Sequence, residues 1–273
     1  SACLVGSEMC IRDRGKLTPT PEAHRLFEEV GPLFEEALRI DEFARDLAAR
    51  PEGALTLCSS PSLGLNFLPP VMARYLERYP NVRLKYHTTL LADMGHELLG
   101  RKAELAVSVL PIDHPNLIVE PFATGQMVCI LPTGHPLAAQ AEVGLAELAA
   151  YRLVLYSRNI PFGQLVAAAF QRAGVAWTAS VDIVRAELAC ALVRAGAGVA
   201  IVDQFSVGQD GWPRLVVRPL RESIPLALSL VRSRFDAPSR HAQRFVRVLK
   251  EYAGTRAGLG PDPGGSGLSL IHI

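Results

Sequence analysis

Ser59, Ser60 and Ser62, Thr88 and Thr89, Ser108, Ser157 and Arg158, Arg185, and Asp203 with Gln204 are the residues of this chain best suited to holding a small anion. Hydroxyls are short neutral donors that complete a carboxylate's hydrogen bonds, and an arginine can grip a carboxylate through two parallel bonds. All of them fall within or just beyond expected β-strands, or immediately before an expected helix. There, free backbone N–H groups and the helix dipole favour an anion. Ser, Thr and Asp also cap helices, so capping alone is the competing reading for these positions. Arg185 is the position least explained by capping, although an exposed arginine is ordinary.

Other signals carry less. Gly196-Ala197-Gly198 precedes an expected strand, so it reads as a helix end and tight turn, not a dinucleotide fingerprint. His135 sits in a Gly-His-Pro turn with no metal-spaced partner. Asp182, Glu187 and Asp203 show no pairing with a nucleophile, and His87 and His96 lack an orienting acidic motif. The sequence predicts neither an enzyme nor a cofactor or metal site.

The elements that position the anion-binding residues alternate. Strands are expected over 54–59, 82–87 and 105–110, with helices over 65–79 and 92–99, and this order implies parallel pairing with right-handed crossovers. Strands over 118–122 and 127–131 flank Ala123-Thr124-Gly125. A second round follows, with strands over 153–156, 177–181 and 199–202 and helices over 162–173 and 186–195. Strands over 215–218 and 226–232 and a helix over 240–252 complete the pattern. Two similar rounds predict two lobes with a cleft between them.

Upstream, Leu26, Val30, Leu33, Ala37, Ile40, Ala44 and Leu47 recur at spacings of four and three, the seam of a helix that pairs with another helix. Gly31-Pro32 is expected to kink or break it. Phe27 and Phe34 widen the stripe, which favours the alternative of an amphipathic helix packed on its own domain.

The chain has 273 residues and a formal net charge of +1. It shows no basic cluster of the kind that marks a nucleic-acid-binding domain. Cys58, Cys129 and Cys190 are scattered without metal or redox spacing, each inside an apolar run, as expected of buried thiols in a reducing compartment. No apolar stretch approaches a membrane span and no signal peptide is visible.

Both ends invite exclusion. Residues 8–13 can be encoded by GAG ATG TGT ATA AGA GAC, whose reverse complement in a shifted frame reads as residues 269–273. The two ends resemble a transposase mosaic end from sequencing libraries. Residues 1–14 and 268–273 are therefore set aside as adaptor-derived. The natural chain is expected to continue upstream of Gly15.

Leu17-Thr18-Pro19, "FLPPVMARYLERYPNVRL" (67–84), "VCILPTGHPLA" (128–138) and "ALVRAGAGVAIVD" (191–203) carry a family resemblance in their order and spacing. The chain resembles a LysR-type transcriptional regulator from about residue 17 to 252, without the N-terminal winged helix-turn-helix. The resemblance implies an α/β fold: a two-lobed type 2 periplasmic-binding-protein-like domain preceded by a long dimerisation helix. It divides the chain into a linker helix at 17–50 and an effector-binding domain at 54–253. Lobe I would take about 54–122 plus 226–253, and lobe II about 126–220. A disordered tail at 254–273 would end in adaptor-derived sequence. Hinges are implied near 123–125 and 221–225, with an effector pocket involving Ser60, Ser62, Thr88, Ser108, Ser157 and Arg185, and with Asp203 and Gln204 near a crossover.

The chain is most similar to the branch sensing diaminopimelate or opines, which implies a small amino-acid-like carboxylate effector. Two departures bear on that branch. Arg185 stands where relatives often carry a small hydroxyl residue, and Gln204 where proline is common. The implied partners are the effector, promoter DNA through the missing N-terminal domain, and further copies of the chain in a homodimer or homotetramer. A cytoplasmic location follows. Two rivals are a periplasmic-type solute-binding protein for a small organic acid and an enzyme on a similar two-lobed scaffold. The heptad helix disfavours both.

Overall fold

Leu153-Val154-Leu155-Tyr156 is apolar without alternation because the strand it forms is covered on both faces and paired on both edges. The computed structural model describes residues 10–13, 16–49, 53–208 and 212–256. They divide into two compact units, with the boundary in the chain between Gly53 and Ala54. The disordered tail expected from residue 254 is corrected at its start, because the last helix runs to Thr255; the remainder, beyond residue 256, lies outside the described residues.

In the first unit, β1 (Cys10–Asp13) pairs antiparallel with β2 (Lys16–Pro19). Residues set aside as adaptor-derived thus supply one strand of this pair. Helix α1 (Pro21–Ala49) follows, its start satisfied by Thr20, whose Oγ1 accepts a hydrogen bond from Ala23 N at 3.2 Å. The expected break at Gly31-Pro32 does not occur, and the helix continues with Pro32 inside it. Proline removes one N–H from the ladder, and the surrounding Glu, Leu, Ala and Arg residues favour helix strongly enough to continue.

The second unit contains β3 (Ala54–Ser59), α2 (Leu63–Asn66), α3 (Leu68–Arg78), β4 (Arg83–Thr88), α4 (Leu91–Leu99), β5 (Leu105–Ser108) and β6 (Leu117–Pro132). A 3-10 turn (Pro136–Ala139), α5 (Leu145–Leu148), β7 (Leu153–Tyr156), α6 (Pro161–Arg172), β8 (Ala179–Ile183), α7 (Ala186–Arg194) and β9 (Val199–Asp203) come next. The unit closes with α8 (Gln204–Val207), β10 (Leu215–Pro219), β11 (Pro225–Ser233) and α9 (Arg240–Thr255). The strands run in the order β4-β3-β5-β11-β6-β9-β7-β8, with β10 also on β6. Within each lobe the βαβ strands are parallel, while β6 is antiparallel to β11, β9 and β10.

Two sequence expectations need correction. The single helix over 65–79 is split at Phe67, because Pro69 and Pro70 have no N–H to bond the carbonyls of Leu65 and Asn66. Asn66 O instead accepts from the Arg256 guanidinium at 3.3 Å. The two strands around Ala123-Thr124-Gly125 are one strand, β6, which passes from lobe to lobe while paired with β11. Ladder pairing here overrides the poor strand propensity of Ala and Gly. Gly125 is needed because a Cβ there would lie 2.5 Å from the Phe205 ring. A register shift beside Leu228 and Ser229 skips Phe122, and such a bulge increases twist just where the strand changes lobes.

The main core runs through both lobes, from Leu55, Leu57 and Val71 to Val154, Ile201 and Phe205. No described helix is long and apolar enough to cross a membrane.

Candidate functional site

The carboxyl ends of β3, β5, β7 and β8 open onto a cavity of about 760 Å3 lined from both lobes. Lobe I contributes the turn Ser60-Pro61-Ser62, the start of α4 at Leu91 and Ala92, and the segment from Val109 to His114. Lobe II contributes Tyr156, the start of α6 at Ile160 to Phe162, and the start of α7 at Val184 to Glu187. This volume is in the range of small-molecule sites, whose walls are mostly apolar with a few polar groups that orient the ligand.

Three of the residues singled out from the sequence line the cavity: Ser60, Ser62 and Arg185. Ser62 is buried, and its Oγ has no hydrogen-bond partner in the protein. It sits at the start of α2 without capping that helix. Ser60 Oγ accepts from Val109 N at 3.3 Å, which ties the two lobe I turns together. Arg185 precedes α7 in an extended conformation, and its side chain is exposed at the cavity.

The other candidates lie outside the lining, and most have structural duties. Ser59 Oγ lies 2.8 Å from Tyr86 Oη and donates to Ser60 O at 3.0 Å. Ser108 Oγ donates to Leu110 O at 2.5 Å. Thr88 ends β4 in an exposed position, and Thr89 N bonds Ser59 O. Ser157 is held by its backbone, with its N on Ile183 O and its O accepting from Ile160 N. Arg158 stacks on Trp177, its guanidinium carbon 4.4 Å from the ring centre. Gln204 Oε1 accepts from Gln126 N at 2.8 Å, bracing the crossover strand.

Asp203 is fully buried, outside the lining, and is linked to the cavity wall through Tyr156. Its carboxylate accepts from Phe205 N, Ser206 N, Ser206 Oγ and Tyr156 Oη, so it caps α8. Burial pushes this carboxyl above the usual carboxylate value, partly offset by the hydrogen bonds from Ser206 and Tyr156. Burial also pushes the Tyr156 phenol well up, and the neighbouring Asp203 charge adds to it. Tyr156 therefore acts as a neutral donor, with its ring stacked on Phe162 at 5.0 Å as part of the cavity wall.

Several lining residues escaped the sequence reading. Asp113, His114 and Asn159 lie on loops that carry no periodic signal. Tyr156 and Phe162 read as core. Glu187 was considered only as a catalytic carboxylate, yet it lines the cavity beside Arg185. One further reading needs correction: His87 does have an acidic partner, because α4 brings Glu97 to hydrogen-bond its Nε2.

Comparison with known proteins identifies this architecture. The family model described as the LysR substrate binding domain matches residues 48–254. The chain belongs to that family. LysR-type regulators are transcriptional regulators, not enzymes. Among its relatives, the transcriptional activator protein LysR of Escherichia coli is 28% identical over 247 residues, covering 90% of this chain and 79% of that protein. The regulatory protein NocR of Agrobacterium tumefaciens is 28% identical over 246 residues, covering 90% and 82%. Full-length CbnR in complex with its target DNA superposes with a TM-score of 0.72 at 21% identity, covering 88% of this chain and 83% of CbnR. CbnR thus shares the fold described above.

Proposed function

We propose that this LysR-family chain senses a small amino-acid-like or opine-like carboxylate in the cavity between its lobes and passes that state to promoter-bound DNA-reading heads. The observation that carries this reading is the composition of the cavity. Arg185 and Glu187 stand together at the start of α7, and Ser62 presents an unpartnered hydroxyl from the opposite lobe. A zwitterion with a short hydrocarbon body fits that set: its carboxylate meets Arg185, its ammonium meets Glu187, and its body lies on the apolar walls.

A ligand bridging the lobes with different affinity for two lobe orientations shifts their populations. The strands β6 and β11, paired through the crossover, are the joint about which that shift would occur. Leu26, Val30, Leu33, Ala37 and Ile40 are exposed along α1, which suits pairing with the same helix of a second copy; the side chains of Ala44 and Leu47 lie outside the described ones. In this reading the protein works in the cytoplasm as a homodimer or homotetramer. Promoter contact would be made by a winged helix-turn-helix N-terminal to α1.

Calorimetric titration with diaminopimelate and with octopine tests the reading directly. Saturable binding of either that is lost on charge reversal at Arg185 is the expected result. Unchanged affinity in Arg185→Glu would remove Arg185 from the site, and no binding of either compound would remove the amino-acid-like assignment.

A further inference from the structure

A second group of functional side chains lies on the α4 face of lobe I, apart from the effector cavity. The parallel register of β3 and β4 sets Cys58 opposite His87. Helix α4 packs on the same face through Met94 and Leu98, which cluster with Cys58, and its Glu97 carboxylate is hydrogen-bonded to His87 Nε2. The Cys58 sulfur, a His87 ring nitrogen and a Glu97 carboxylate oxygen all lie within 4.8 Å of one another. Among the described residues this is the one cluster of three such donors.

We propose that Cys58, His87 and Glu97 form a binding site for a zinc-like divalent cation. Thiolate, imidazole and carboxylate are the donors zinc takes, and three protein ligands plus one open position is a recurrent arrangement. Bonds of about 2.0–2.3 Å place tetrahedral ligand atoms roughly 3.3–3.8 Å apart, so a movement of about 1 Å closes the site. The side chains able to make that movement are His87 and Glu97, which are 42% and 21% exposed. Cys58 is fixed in the core, 0% exposed, and supplies the rigid donor.

An exposed His–carboxylate pair is ordinary by itself; the thiol converging on the same point makes it a donor set. Burial and the Glu97 charge push the Cys58 thiol up to about 12, so without a cation it keeps its proton. A bound dication reverses that local balance, and the thiol proton leaves to solvent as the metal–sulfur bond forms. The placement also suits a second input. Helix α4 carries Leu91, Ala92 and Gly95 in the cavity wall and Glu97 in the cluster, so an ion here would fasten α4 to β3 and β4. The metal site does not depend on the identity of the effector.

The test uses the full chain, stripped with EDTA and dialysed, then titrated with Co2+ and with Zn2+ against a chromophoric chelator. Expected are one ion per chain and a near-ultraviolet thiolate-to-cobalt band that Cys58→Ser lacks. His87→Ala and Glu97→Gln should each weaken Zn2+ binding by more than about 100-fold, since even losing a supporting partner of a ligand costs 10–100-fold. Both variants should keep the wild-type melting temperature in EDTA, so they decide the question even if Cys58→Ser fails to fold. A missing cobalt band, a band that survives in a folded Cys58→Ser, or unchanged affinity in His87→Ala would overturn the site and leave an ion pair over a core cysteine.

Discussion

The two rims of the cavity arise from the same kind of βα turn, one in each lobe, yet they are finished differently. On the lobe I side the hydroxyls of Ser59, Ser60 and Ser108 are tied into the turns by hydrogen bonds, Ser62 is left with its Oγ unpartnered at the cavity, and the ionisable groups Asp113 and His114 come from the loop after β5. On the lobe II side Arg185 and Glu187 line the cavity, and a further carboxylate, Asp203, lies in the interior outside the lining. Asp203 is buried and saturated by four donors, whereas Arg185 stands exposed at the opening. Equivalent positions in a repeated topology therefore carry different chemistry. A polar group with its hydrogen bonds filled by the protein holds the rim in shape, and one with capacity left is available to a ligand.

The sharpest way to break this contrast is at Asp203. Asp203→Ala leaves the buried Ser206 and Tyr156 donors without an acceptor and should destabilise the domain by about 3 kcal/mol in urea denaturation. Asp203→Asn keeps an acceptor and should cost less than half of that. Because burial raises the Asp203 value above 3.8 in the folded state, its contribution is present below the unfolded value and is lost as pH rises through the folded one. The stability of wild type relative to Asp203→Asn should accordingly fall as pH rises above about 4. A rise would mean that the donors around the carboxylate outweigh its burial.

Gly163 probes the scaffold under the lobe II rim. A Cβ there would lie 2.0 Å from Ser157 O, so Gly163→Ala must push α6 away from its turn. A loss of about 2 kcal/mol is expected from such overpacking. Arg185→Glu should instead leave the melting temperature nearly unchanged and weaken effector binding by about 30-fold or more, as expected when a charge-assisted pair becomes repulsive. The smallest effect belongs to Ser62→Ala. Its hydroxyl has no partner to lose, so stability should change by less than about 0.5 kcal/mol while effector affinity drops about 3–10-fold. If Ser62→Ala were strongly destabilising, the division between structural and ligand-facing hydroxyls would fail at its clearest position.

Much of the fold was legible because its signals are local. Apolar runs such as 153–156 and 199–202 marked buried strands, and the resemblance carried by 67–84, 128–138 and 191–203 agrees with the family match over 48–254. The continuity of β6 was not legible, since Ala123 and Gly125 lack strand propensity and are held by β11 from a hundred residues downstream. Helix α8 was missed for a similar reason: one turn carries no period, and its cap Asp203 looked equally like a ligand residue.

The sequence by itself determined which residues could bond an anion, that they lie at strand ends and helix starts, and that a long heptad helix precedes an α/β domain. Those properties follow from residue type and short-range spacing. Only the tertiary structure decided which hydroxyls were already bonded, that Glu187 and His114 share the cavity with Arg185, and that Glu97 and Cys58 converge on His87. The physical reason is the same in each case. Hydrogen-bond capacity and donor clustering depend on which distant segments meet, and strand register and helix packing, not chain order, bring those segments together.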